Sequence, residues 1–209
     1  MIGSPEAEAL QRKLWEEVSK SKEGKEEETK MELREAMEAR RSMRKYEAGK
    51  KVTREQVEEL IQAAYLAPSW KNSETPRYYV AMSEDVVQDI RENCLPAFNQ
   101  NNSAGAPVLI VTAFVKGISG FNPDGTACNE LGDGWGCYDL GLNNENLVLK
   151  AKELGLDTLI MGIRDGEGLR EKLSIPEDQE IVSVIALGYG AADPQMPARK
   201  SLDEVAKFF

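Results

Sequence analysis

Apolar residues along this chain alternate between two spacings, and the change from one to the other marks out its elements. Leu33, Ala36 and Met37 keep helical spacing over residues 31–39, and Thr29-x-x-Glu32 is placed to open that helix as a capping box. Thr53-x-x-Gln56 predicts a second helix whose buried face carries Val57, Leu60, Ile61 and Ala64, ended by Ala67-Pro68. Ser83 opens a third, with Val86, Val87 and Ile90. The longest, residues 135–154, keeps Leu140, Asn144, Leu147, Ala151 and Leu154 in step, with Gly155 suited to close it. A short helix holds Leu169 and Leu173, and Ser201-x-x-Glu204 caps a last turn before Phe208 and Phe209. Runs at 77–82, 107–115, 156–161 and 181–187 read as strands. The second is apolar nearly throughout, as expected of a central strand covered on both faces. Residues 93–106 read as irregular, and 116–134, with five glycines, as a long loop. The first 30 residues are different: Leu10, Leu14 and Val18 outline one amphipathic helix, followed by a charged connector. That composition also suits an added extension. The division expected is therefore 1–30 as a helical extension and 31–209 as the main domain, of α+β class.

The polar positions are less regular, and one segment stands out. Arg40-Arg41-Ser42-Met43-Arg44-Lys45-Tyr46 holds four cations in seven residues, in a chain of net charge −10. If the preceding helix continues, Arg40 and Arg44 share a face, with Arg41 and the Ser42 hydroxyl beside them. Guanidinium forks grip phosphate oxygens in pairs and stay charged when partly buried. A phosphate cradle and a solvated basic helix end both fit the segment. Gly136, Gly141, Asn143, Asn144 and Asn146 on the long helix point to close helix contact or to a ligand.

Composition narrows the chemistry. The chain has 209 residues, 41% hydrophobic and 30% charged, ordinary values for a globular protein. Its acidity opposes non-specific nucleic-acid binding and anionic membrane surfaces. No run approaches the roughly 20 apolar residues of a membrane span, and the N-terminal stretch lacks a signal-peptide core. Cys94, Cys128 and Cys137 show no CxxC spacing and fit buried free thiols in a reducing, cytoplasmic setting. There is no histidine, which excludes Ser-His-Asp and Cys-His hydrolases. GxGxxG and GxxxxGK[ST] are absent. No side-chain catalyst is assigned, and an enzyme of this composition needs a cofactor to carry its chemistry.

Four motifs in order resemble the nitroreductase family of FMN-dependent oxidoreductases, across about residues 31–209. Arg40-Arg41-Ser42-Met43-Arg44 looks like the family's N-terminal basic signature. Ala67-Pro68-Ser69-Trp70-Lys71-Asn72 resembles its Pro-Ser-x-x-Asn loop, and residues 139–155 its long central helix. Gly188-Tyr189 through Pro197, with Arg199-Lys200, resembles the closing motif. The resemblance implies a central, mostly antiparallel sheet flanked by helices, with the long helix at the core of a homodimer. It implies that Arg40, Arg41, Ser42, Arg44 and Arg199 hold the FMN phosphate and ribityl chain. Pro68, Ser69, Trp70 and Asn72 would reach the partner's flavin, and Met161, Gly162 and Ile163 would bring a backbone amide near the ring. It further implies NAD(P)H as hydride donor and a small oxidant, such as a nitroaromatic or quinone, taking its place in turn. Flavin reduction and reductive dehalogenation are related activities in the same family. Where many members continue Gln-Pro-Trp after the Asn, this chain has Ser73-Glu74-Thr75-Pro76-Arg77. That departure keeps open a flavin-binding or scaffold protein without efficient turnover.

Overall fold

The computed structural model of the chain describes residues 31–209. The helix expected over Leu10 to Val18, the connector after it and Thr29 lie outside the described residues.

Strands β1 (Pro76–Ala81), β2 (Val108–Val115), β3 (Asp157–Met161) and β4 (Gln179–Gly188) form one sheet in the order β1-β2-β4-β3. Every pairing is antiparallel. The helices are α1 (Leu33–Ala39), α2 (Arg54–Tyr65), α3 (Glu84–Cys94), α4 (Ala97–Asn102), α5 (Gly134–Glu153), α6 (Gly166–Leu173) and α7 (Leu202–Val205). The α+β class and the antiparallel sheet are as expected from the sequence.

Strand β2 explains the layering. Side chains alternate faces along a strand. Leu109, Val111 and Ala113 join one core with Val87 and Ile90 of α3 and Leu169 of α6. Val108 and Ile110 join the other, with Val57, Leu60 and Ala64 of α2 and Leu147 and Ala151 of α5. Each valine, leucine and isoleucine among them contributes roughly 1.5–3 kcal/mol on burial. Helices cover both faces, so β2 can be apolar at every position. Helix α2 starts as expected: the Gln56 N–H donates to Thr53 Oγ1 at 3.2 Å, and the Thr53 N–H to Gln56 Oε1 at 3.0 Å. Near the end of α5, Lys150 Nζ lies 3.0 Å from Glu59 and 2.6 Å from Glu153, linking the two helices.

Several expectations need correction. The helix before the basic segment starts at Leu33, where the Glu32 N–H donates to Glu35 Oε2 at 3.1 Å. Of its expected apolar face only Ala36 is buried, while Leu33 and Met37 are 62% and 54% exposed. Residues 93–106 are not wholly irregular, because α4 forms there despite its three asparagines. Tertiary bonds offset the weak helix propensity: buried Asn99 donates Nδ2 to the Ile163 carbonyl at 2.9 Å. Ser83 takes the N-cap position of α3 without a side-chain bond, and Val86 faces outward. Ile61 and Leu154 are only half-buried. Cys94 is buried, but Cys128 and Cys137 are exposed.

The small and amide residues of α5 divide by role. A Cβ on Gly136 would lie 2.2 Å from the Phe114 ring, so this glycine marks a close helix–strand approach, while Gly141 faces open space. Asn146 donates Nδ2 to the Ala63 carbonyl of α2 at 3.2 Å. Gly136→Ala should therefore destabilise the protein by about 1–3 kcal/mol through overpacking, despite alanine's better helix propensity. Thermal unfolding checks this: Tm should fall by several degrees, and an unchanged Tm would show that the helix can shift freely off Phe114.

Candidate active site

The basic segment is extended, not helical. Arg40 is the C-cap of α1 with φ −59° and ψ 129°, so Arg40 and Arg44 do not share a helix face. The reason is tertiary. Ser42 bridges to Thr158 on β3, the free edge of the sheet, and the Met43 N–H donates to the Thr158 carbonyl at 2.9 Å. The Glu47 N–H donates to the Tyr189 carbonyl and the Ala191 N–H to the Lys45 carbonyl, each at 2.9 Å. Met43 and Tyr46 turn into the core at 3% and 7% exposure. The Tyr46 hydroxyl donates toward the carbonyls of Met43 and Ala186, at 3.2 and 3.3 Å. Burial first, then the Asp157 carboxylate, pushes its phenol far above the usual range, so it stays a donor.

With two side chains pinned inward, the cations are left outside. Arg40 and Arg41 are partly exposed, and Ser42 and Arg44 are exposed. None of the three arginines has a carboxylate partner among the described residues. Arg41 Nη1 donates to the Arg40 carbonyl at 2.7 Å, and Arg44 Nη1 to that of Ser42 at 3.2 Å. Arg41 Nε is buried with no bond. Clustered guanidinium donors without a counter-charge suit an anion with several oxygens. Further along β3, Met161 is buried while Gly162 and Ile163 are exposed. The N–H groups of Gly162 and Ile163 carry no bond among the described residues. From Thr158 to Met161 is three residues of strand, about 10 Å. Arg199 lies exposed in the tail after β4, with no bond to the basic segment among the described residues.

The loop after α2 is strained. Lys71, Asn72 and Glu74 have φ of 48°, 53° and 48°. Left-handed backbone at non-glycine residues costs on the order of 1–3 kcal/mol each, less for asparagine. Bonds hold it: the Asn72 N–H reaches the Ser69 carbonyl at 3.0 Å, and the Glu74 N–H reaches Ser69 Oγ at 3.1 Å. The Trp70 N–H donates to Asp139 Oδ2 at 3.0 Å. Asn72 Nδ2 donates to Glu74 Oε1 at 3.2 Å, so the carboxylate that departs from the family pattern lies against the asparagine. Pro68 is exposed and Ser69 half-buried. Trp70 packs against Trp135 in a tilted pair, with centroids 4.6 Å apart, and Trp135 meets Tyr138 edge-on at 5.6 Å. Trp70 Nε1, Ser73 Oγ and Thr75 Oγ1 are buried without partners among the described residues.

The structure thus places Arg40, Arg41, Ser42 and Arg44 together on the β3 edge, with Met161 further along the same strand and Gly162 and Ile163 just past its end. Pro68, Ser69, Trp70 and Asn72 form a separate loop. The open cleft lined by Asp165, Glu167, Arg170 and Glu177 includes none of them. Sequence reasoning overlooked the roles of Tyr46 and Asp139. Tyr46 was legible as the second apolar residue, three after Met43, inside a basic run. Asp139 offered no local signal, because its partners Trp70 and Ser119 are remote in sequence.

Comparison with known proteins settles the class. The model of the nitroreductase family matches residues 37–189, and the chain belongs to that family of oxidoreductases. The chain is 28% identical over 170 residues to a protein of Methanothermobacter thermautotrophicus provisionally named NADH dehydrogenase/NAD(P)H nitroreductase. That match spans 79% of this chain and 81% of the relative. Solved structures share the fold. One, a provisionally named nitroreductase of Exiguobacterium sibiricum in complex with FMN, superposes with TM-score 0.75 at 20% identity. It covers 87% of this chain and 99% of its own. Another, an NADPH:FMN oxidoreductase of Vibrio harveyi complexed with NAD+, gives TM-score 0.70 at 23% identity. The shares are 84% of this chain and 76% of that one.

Tyr46→Phe should test how the basic segment is anchored. Losing one buried donor shared by two carbonyls is expected to cost about 1 kcal/mol, a drop in Tm of roughly 2–4 °C. An unchanged Tm would mean that water satisfies both carbonyls and that the hydroxyl anchors nothing.

Proposed function

We propose that the protein is an FMN-dependent oxidoreductase that uses NAD(P)H to reduce small oxidants, with nitroaromatics and quinones as the substrate class. The observation that carries this reading is the cluster of arginines on the β3 edge that has no carboxylate partner among the described residues. FMN, when bound, would supply the hydride chemistry between NAD(P)H and a small oxidant, so no side-chain acid or base is required. Arg40, Arg41 and Arg44 bind the phosphate through charge-assisted bonds, and the Ser42 hydroxyl is available to the ribityl chain. The unbonded N–H groups of Gly162 and Ile163 offer donors to the ring edge. Asn99 supports that corner by holding the Ile163 carbonyl. The Pro68–Asn72 loop would serve the ring end of the partner's site, with the tilted Trp70–Trp135 pair beside it.

A homodimer completes the arrangement in this reading. Leu33 and Met37 of α1, and Leu202, Val205, Phe208 and Phe209 of the tail, are exposed in a single chain. Apolar surface of this kind calls for a partner, and a second copy would bring its Asn72 loop to this chain's flavin. Arg199, on the same tail, joins the phosphate site only if the tail folds across it. Among the described residues no helix is long and apolar enough to cross a membrane, and the net charge of −10 opposes a nucleic-acid partner.

Arg40→Ala combined with Arg44→Ala tests the assignment. Each well-formed charge-assisted contact is worth about 1.5–3 kcal/mol, so FMN affinity should fall on the order of a hundredfold or more. Circular dichroism should show the fold retained, since both side chains point outward. Titration of apoprotein with FMN gives the answer, and unchanged affinity in the folded double variant would remove the phosphate site from the β3 edge.

A further inference from the structure

One buried charge has no part in the chemistry above. Asp139, in the second turn of α5, is 2% exposed and has no cationic partner among the described residues. Burying a carboxylate is costly unless its oxygens are bonded. Here Oδ2 receives two donors, the backbone N–H of Trp70 at 3.0 Å and the hydroxyl of Ser119, itself buried. The donors come from different loops. Trp70 belongs to the loop that presents Asn72, and Ser119 to the long connection between β2 and α5. That connection is further shaped by Gly120, where a Cβ would come within 2.5 Å of the Trp135 ring. Trp135 is the residue against which Trp70 packs. One carboxylate oxygen therefore gathers both loops onto α5, at the foot of a segment whose backbone is left-handed at Lys71, Asn72 and Glu74. A strained conformation persists only where its surroundings over-determine it, and a charge-assisted bond at the residue before the strain begins is well placed to do so.

We propose that Asp139 is a positioning residue: it clamps the Trp70 N–H and the Ser119 hydroxyl so that the 68–74 loop holds Asn72 in its binding orientation. The carboxylate touches neither cofactor nor substrate and acts only through the loop. The proposal rests on the reading of that loop as part of the flavin site, and its test separates the two. Asp139→Ala and Asp139→Asn are compared by tryptic cleavage after Lys71, normalised to cleavage after Lys172 on α6, in protein free of FMN. FMN affinity is then measured by titration. Asp139→Ala should raise the Lys71:Lys172 cleavage ratio about tenfold or more and weaken FMN binding by a similar factor, the loss expected for a charge-assisted bond. Asp139→Asn keeps an acceptor oxygen for the Trp70 N–H and should restore most of both. If Asp139→Ala does not fold, Ser119→Ala, which removes one arm of the clamp, should raise the ratio to a smaller extent. An unchanged ratio in folded Asp139→Ala, or in Ser119→Ala where it stands in, overturns the clamp, as does Asp139→Asn behaving no better than Asp139→Ala. Faster cleavage after Lys71 with unchanged FMN affinity supports the clamp and overturns instead the placement of the loop at the flavin.

Discussion

The Met43 N–H meets the Thr158 carbonyl at 2.9 Å, and the site is organised around that contact. An edge strand presents unpaired backbone groups, which natural folds cover or use. Here the edge captures a short extended segment immediately after α1. Met43 and Tyr46 fix its inward face by packing beneath it, and the cations can only point out. Electrostatics alone would scatter four neighbouring positive charges. The backbone bond and the two buried anchors hold them together, with no carboxylate partner among the described residues.

The same sheet sets the other distances. Because β2 is covered on both faces, the helices carrying the Asn72 loop and the 116–134 connection are held rigidly against it. Phe114 against Gly136 fixes where α5 begins. Asp139, less than one helical turn further on, then reaches Trp70. Packing in the core is thereby converted into the placement of a loop whose own backbone preferences oppose its conformation. Leu33 and Met37 of α1 and Leu202, Val205, Phe208 and Phe209 of the tail lie outside this packing and are exposed.

Most of the framework was legible in the sequence because it rests on local periodicity. The continuous apolar run of β2, the Thr53–Gln56 box and the spacing of Leu140, Leu147 and Ala151 each have one structural solution. The candidate site residues could be named from the sequence by type and order, but their geometry could not. Arg40 and Arg44 read as neighbours on a helix because helical spacing continues past Ala39 on paper. The strand edge that overrides it is more than a hundred residues away. Helix α4 was missed for the same reason, since Asn99 gains its bond from Ile163. Leu33 and Met37 read as part of an apolar helix face because periodicity reports which residues are apolar, not whether they are buried.

The most direct measurement is a visible absorption spectrum of the protein purified without added cofactor and reconstituted with FMN, followed by anaerobic addition of NADPH or NADH. The account predicts a protein-bound flavin spectrum that bleaches with one of the two donors and returns when a quinone or nitroaromatic is supplied. Failure to retain flavin even after reconstitution would contradict it at the level of the site. A bound flavin that neither donor bleaches would contradict it at the level of the reaction.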